Sequence, residues 1–190
     1  GFDFSFGAFG KGNMALMQEL SGEDFGVTVV EKYADGAEKI SSTRIRKALK
    51  EGNMEEVRML LGRAFEVPGI VVHGEKRGRT LGFPTANVQS MTGCFIPATG
   101  VYAVKILVQN EWFDGVCNVG YKPTFKDPSN KQLTIEVHIF NFDKNIYGEE
   151  VVVGWYHRIR SEQKFNGIDE LIAQIEQDKK QAIDYLKNRA

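Results

Sequence analysis

Cysteine is scarce in this chain: Cys94 and Cys117 are the only two among 190 residues, and neither belongs to a Cys-x-x-Cys pair. A disulfide framework, a zinc knuckle and a dithiol redox motif are thereby excluded, and a reducing cytoplasm fits. Long apolar runs are missing as well. No stretch approaches the roughly 20 residues that a helix needs to cross a bilayer, so no membrane is expected as a partner. The opening GFDFSFGAFGKGNM has neither the charged-then-apolar order of a signal peptide nor an initiator methionine. The chain reads as cut from something longer. A dominant charge is also lacking, because 24 Lys and Arg stand against 25 Asp and Glu for a net charge of −1. Coating of a polyanion is not indicated, and no nucleic acid is expected as a partner. The spacing Gly-x4-Gly-Lys-Ser/Thr of a Walker loop does not occur.

What is present falls into two parts, 1–62 and 63–190. The first mixes phenylalanine and glycine with a strand candidate, GVTVVEKY (26–33), and then meets ISSTRIRKALKEG. Ser42 has the chemistry of a helix cap, Ile45, Ala48 and Leu49 recur at helical spacing, and Gly52 stands where the helix would end. A second short helix follows. Asn53 and Glu56 have the spacing of a capping box, Val57, Leu60 and Leu61 form an apolar face, and Gly62 stops it.

From Phe65 the period shortens to that of strands. GIVVHG, VYAVKILVQN, EWFDGVCNVG, LTIEVHIFNF and EVVVGWYHRIR are strand-like runs parted by turn residues, with Asn110-Glu111 read as a tight hairpin link. Without helices between them, they argue for an antiparallel barrel or sandwich. The chain ends on a helix from Gly167 to Arg189, whose stripe of Ile168, Leu171, Ile172, Ile175, Ala182, Ile183 and Leu186 fits packing against the sheet.

Two stretches carry candidate chemistry. In GEKRGRTLGFPTANV, a glycine turn with basic side chains suits an anion such as phosphate, since glycines allow close backbone approach and N–H groups can wrap the charge. Thr85 and Asn87 follow it, two hard-oxygen side chains that share one side of an extended chain, as a magnesium ion bound to phosphates requires. The plain alternative is a solvated basic hairpin before a proline-stiffened turn. In LTIEVHIFNF, Ile135, Val137 and Ile139 alternate with Thr134, Glu136, His138 and Phe140. Glu136 on the polar face is a candidate general base, although a glutamate so placed is ordinarily a solvated surface residue.

Taken in order, GRTLGFPTANV, GVYAV, NVGYKPTF, IEVHIFNFD, IYG and RIRSEQKF resemble the riboflavin kinase domain from about residue 65 to 190. GFDFSFG and ISSTRIR, within about 1–62, resemble the tail of the adenylyltransferase domain that precedes this kinase in bacterial bifunctional riboflavin kinase/FAD synthetases. The resemblance implies a mainly β fold, a six-stranded antiparallel Greek-key-like barrel with a C-terminal helix, preceded by a partial α/β nucleotidyltransferase segment. It implies ATP and riboflavin as substrates, FMN as product and Mg2+ as the metal. Thr85 and Asn87 would ligate the ion. The loop Gly74–Gly82, with Lys76, Gly78 and Arg79, would close over the ATP phosphates, and Tyr147 would lie near adenine. Glu136 would be the base, and Arg160 and Phe165 would belong to a flap over the flavin.

In the remnant of the first domain, Ser41, Ser42, Thr43 and Arg46 match the family's phosphate-holding motif, while its His-x-Gly-His turn does not occur and no histidine precedes His73. The resemblance therefore implies FMN synthesis here and FAD synthesis in a complete protein. The phenylalanines of GFDFSFGAFG would line a flavin pocket in a complete domain; in a fragment they become exposed hydrophobes open to oligomer contact, with no oligomeric state specified. Two rival readings are a barrel that binds flavin or nucleotide without turnover, against which Glu136, Thr85 and Asn87 argue, and a nucleic-acid-binding barrel, against which the near-neutral charge argues.

Overall fold

A computed structural model describes residues 4–22, 25–30, 34–35, 38–75, 77–123 and 131–188. Contacts divide the chain into two compact units, Gly1–Ser42 and Thr43–Ala190. In the first, a 3₁₀ turn (Ala8–Gly10) precedes α1 (Met14–Leu20), and β1 (Ala34–Asp35) pairs with β2 (Glu38–Lys39). Asn13 caps α1 by accepting from Leu16 N–H, yet the helix buries none of its residues. Phe9 is 97% exposed and Val30 70%, as expected of apolar residues without a core to enter. The strand anticipated at 26–33 is corrected in its described part, 26–30, which has no regular structure. Valine content supplies a strand face, but a strand exists only where a neighbour completes its hydrogen bonds.

The second unit opens with α2 (Ser42–Glu51) and α3 (Met54–Leu61). Ser42 is already the first helical residue, one position later than a cap would stand. Half of the Asn53–Glu56 box forms: Glu56 N–H donates to Asn53 Oδ1 at 3.1 Å, while the return bond runs from Asn53 Nδ2 to Glu56 Oε2 at 3.3 Å because the Asn53 backbone N–H donates to Ala48 O. Gly62 ends α3 at φ 69°, a left-handed conformation that glycine adopts without steric cost. Ala48, Leu49, Met54 and Val57 are fully buried in the same cluster as the strands that follow. In compactness the two helices thus go with the barrel.

That barrel is built from β3 (Phe65–Val72), β4 (Ala86–Ser90), β5 (Gly100–Val108), β6 (Glu111–Pro123), β7 (Lys131–Ile139) and β8 (Glu150–Arg160). The strands close in the order β3-β4-β7-β6-β5-β8, every pairing antiparallel. Closure removes sheet edges. Alternate residues fill the interior, where Tyr102 and Trp155 meet edge to face at 5.2 Å.

Glu111 already pairs with Val108, so the β5–β6 link is Gln109-Asn110, one residue earlier than read from sequence. Both residues have positive φ, 49° and 68°, the backbone sense that matches the right-handed twist of a hairpin. The last helix, α5 (Ile168–Lys187), covers the outside of β5, β6 and β8, where Ala182 and Leu186 bury Val101, Ala103, Val116 and Phe140. This explains why β5 is buried on both faces along its first half. Among the described residues, no helix is long and apolar enough to cross a membrane.

Candidate active site

Where β4 begins and β7 ends, a cavity of about 450 Å³ is lined by Val71, Thr85, Ala86, Val137, Ile139 and the segment 142–147, with Arg79 and Pro84. Its floor is aliphatic, because these are interior positions of the barrel. Its polar side comes from Arg79, Thr85, Asp143, Lys144 and Asn145. Tyr147 also lines it, and its ring stacks on that of His73 at 3.9 Å between ring centroids. The tyrosine is held at its backbone, where its N–H donates to Asn145 Oδ1 at 3.2 Å.

The glycine loop lies against β4. A side chain on Gly74 would fall 2.2 Å from Asn87 Nδ2, and one on Gly78 would fall 2.4 Å from the Phe83 carbonyl and 3.3 Å from Thr85 Oγ1. Only glycine lets the loop come down onto these two polar side chains. The loop differs from an open ring of amides. It makes a short helical turn, α4 (Arg77–Thr80), in which Leu81 and Phe83 N–H donate to Gly78 O and Gly82 N–H to Arg79 O. Gly82 closes the turn at φ 87°. Those three amides are already used, so Arg79 at the cavity is the loop's described basic group. Lys76 lies outside the described residues.

On the outer face of the sheet, register sets Asn87 of β4 opposite Glu136 of β7, and Glu136 opposite Asn118 of β6. Thr85 lines the cavity, whereas Asn87 and Glu136 are not among its lining. The start of β4 is thus the boundary between the cavity and this polar row. Lys122 Nζ donates to Glu136 Oε1. A carboxylate held by an ammonium and flanked by two carboxamides can accept a proton from a hydroxyl brought to it. Cys117 is no rival nucleophile: burial, and after it the negative charge of Glu136, push its thiol well above the ordinary range.

His138, read from sequence as part of the polar face, is buried together with Phe140. Its ring meets Phe83 and Phe140 edge-on, at 5.7 and 5.8 Å, and its Nδ1 lies 2.9 Å from the Pro84 carbonyl. Burial lowers its pKa, with the Pro84 bond acting in the opposite sense.

Arg160 and Phe165 stand together, the guanidinium 5.7 Å from the ring centre. Its Nε and Nη2 bond both oxygens of Asp178 on α5, and Nη1 bonds Ser161 O. All three nitrogens have protein partners, which makes Arg160 the fastening of the segment beyond β8. Glu162 of that segment lies over Gly120, where an added Cβ would fall 2.7 Å from its Oε1. Ser41 precedes α2, and Ser42, Thr43 and Arg46 lie in its first turns with exposed side chains.

Sequence reasoning named His138 without giving it a role and missed Lys122, Asn118, Asp178 and the run Asp143-Lys144-Asn145. The last had a signal, a short polar run between a strand and IYG. Asn118, Lys122 and His138 lie within the runs NVGYKPTF and IEVHIFNFD, but only strand pairing gives them their partners, and Asp178 meets Arg160 only because α5 packs back on the barrel.

Comparison with known proteins follows this division of the chain. The sequence model of the family described as riboflavin kinase matches residues 61–186, and that described as FAD synthetase matches residues 1–44. The bifunctional riboflavin kinase/FMN adenylyltransferase of Bacillus subtilis (strain 168) is 51% identical over 188 residues, covering 99% of this chain and 60% of that protein. Its namesake in Escherichia coli (strain K12) is 39% identical over 187 residues, covering 97% of this chain and 58% of that protein. The chain thus spans about 60% of the length of these curated relatives. A crystal structure described as a macrolide-efflux protein from Streptococcus pneumoniae superposes with a TM-score of 0.81 at 40% identity, over 93% of this chain and 56% of that one.

Proposed function

The chain belongs to the riboflavin kinase family, and from that premise we propose that its barrel transfers the γ-phosphoryl group of ATP to the 5′-hydroxyl of riboflavin, giving FMN and ADP. The observation that carries the reading is the β4–β7 register. It sets Asn87 opposite Glu136, two residues along from Thr85, which lines the cavity.

ATP occupies the cavity, with adenine on the aliphatic floor beside Tyr147 and the phosphates toward Arg79, Lys76 and the loop Gly74–Gly82. Riboflavin lies on the outer face, its hydroxyl at Glu136 and its ring system by Phe165, which Arg160 holds in position. Glu136 accepts the hydroxyl proton as that oxygen bonds to the γ-phosphorus, and the bond to the β,γ-bridging oxygen breaks with its electrons leaving on ADP. Lys122 keeps the carboxylate aimed.

Thr85 and Asn87 fit magnesium, because both are hard oxygen donors packed directly beneath the glycine loop. Magnesium takes few ligands from protein and keeps its other positions for phosphate and water, so two protein oxygens suffice. When bound, such an ion neutralises charge building on the phosphates. The longer protein would in addition adenylylate FMN to FAD, with Ser41, Ser42, Thr43 and Arg46 at the phosphates, in the cytoplasm.

The test is direct: incubate the chain with riboflavin, ATP and magnesium and separate the flavins by chromatography. Magnesium-dependent FMN is expected. Riboflavin left unchanged by a folded protein would sink the reading.

A further inference from the structure

The β4–β7 ladder runs through Val88↔Ile135, Asn87↔Glu136 and Ala86↔Val137, and stops there. Carried on, the register would set Thr85 opposite His138 and Pro84 opposite Ile139. It cannot continue as a ladder, because proline has no N–H to donate. The Pro84 carbonyl would then lose its partner at the point where the chain turns into the cavity. His138 supplies one. Its Nδ1 reaches Pro84 O at 2.9 Å, and a carbonyl only accepts, so Nδ1 carries the proton. The ring has little freedom to leave, since it is 9% exposed and wedged edge-on between Phe83 and Phe140.

These contacts tie two functional segments together. Phe83 and Pro84 immediately precede Thr85, while His138 follows Glu136 two residues along β7 and Phe140 stands just past the strand's end. A side-chain hydrogen bond thus takes over where the main-chain ladder ends, and it holds Thr85 against the strand that carries the base. We propose that His138 is a positioning residue for phosphoryl transfer: by donating Nδ1–H to the Pro84 carbonyl it fixes Thr85 in register with Asn87 and Glu136. The role rests on the kinase reading above; the hydrogen bond itself does not.

Two measurements test it. The chain has three histidines, so long-range nitrogen–proton NMR of the unliganded protein at mildly alkaline pH resolves each tautomer. His138 should carry its proton on Nδ1. The second is calorimetric titration with magnesium·ADP of the parent, His138→Leu and His138→Asn. Asparagine places an N–H close to the Nδ1 position while losing the ring's packing as leucine does. Leucine should weaken binding about tenfold, the worth of one well-made hydrogen bond, and asparagine should stay within about threefold of the parent. A proton on Nε2, or asparagine and leucine failing by the same factor, would overturn the assignment. If the leucine variant does not fold, a folded asparagine variant that loses tenfold overturns it equally. A parent that binds no magnesium·ADP defeats the kinase reading, and the tautomer still reports on the hydrogen bond.

Discussion

Lys122 on β6 reaches diagonally across to Glu136 on β7. Register sets Lys122 opposite Gln132 and Glu136 opposite Asn118, so the ion pair joins residues that do not face each other across the two strands. The pair is partly solvated, with 36% and 20% of the two side chains exposed, so it contributes at most about 1 kcal/mol to stability. In the proposed reaction its part is to aim the carboxylate.

Replacing Glu136 by Gln keeps shape and removes proton acceptance. Turnover should fall roughly 10²–10⁴-fold with ligand binding retained. Lys122→Met should cost less than about tenfold, because the carboxylate remains. Steady-state rates of FMN formation separate the two, and equal losses would mean that the ion pair, not the basicity of Glu136, matters.

Thr85→Ala and Asn87→Ala each delete a hard oxygen beneath the glycine loop. Each should weaken magnesium-dependent ATP binding while leaving riboflavin affinity without nucleotide largely unchanged. Titration of both variants across magnesium concentration is the check; curves that overlay the parent's would remove these residues from the metal site.

Asp178 is 3% exposed and Arg160 18%, so their ion pair is shielded from water on one side. Asp178→Ala leaves a guanidinium without its partner and should destabilise the chain by about 3 kcal/mol, measured by urea unfolding. A change under about 0.5 kcal/mol, the scale of an ordinary surface substitution, would show that α5 is held by its apolar stripe alone.

Tyr102 is fully buried inside the barrel, and burial raises its pKa to about 12, an effect that the nearby Arg158 opposes. A phenol whose folded pKa lies above its unfolded value near 10 stabilises the fold fully below that pH. The contribution is lost as pH climbs through about 12. Stability should therefore decline between about pH 10 and 12, and Tyr102→Phe should flatten this part of the profile. An unchanged slope in the phenylalanine variant would refute it.

The polypeptide of these 190 residues contains no His-x-Gly-His turn. Nucleotidyl transfer needs the reacting phosphate held from both sides, so half of the clamp should give almost no adenylylation. Expressed as given, it should make FMN and no FAD. Steady FAD formation by a preparation whose intact mass is 21.3 kDa would contradict this.

By itself the sequence determined the local structure and the family. The Asn53–Glu56 cap, the left-handed Gly62, the period-two strands and the amphipathic α5 depend on residues a few positions apart, and motifs such as FPTANV and IEVHIF are legible in one dimension. It also nominated Thr85, Asn87 and Glu136, whose roles the variants above test. Only the tertiary structure decided what each face meets. Alternation assigns a residue to one side of a strand without saying what covers that side, so Glu136 and His138 read alike, although one faces solvent beside Lys122 and the other is buried against Pro84. The valines of 26–30 had the composition of a strand and no partner in the described chain. Arg160 read as part of a flap over the flavin, and no local pattern named the Asp178 partner that its guanidinium finds on a helix that folds back later. Such pairings depend on closing a barrel of antiparallel strands, and closure is a long-range event that local periodicity does not encode.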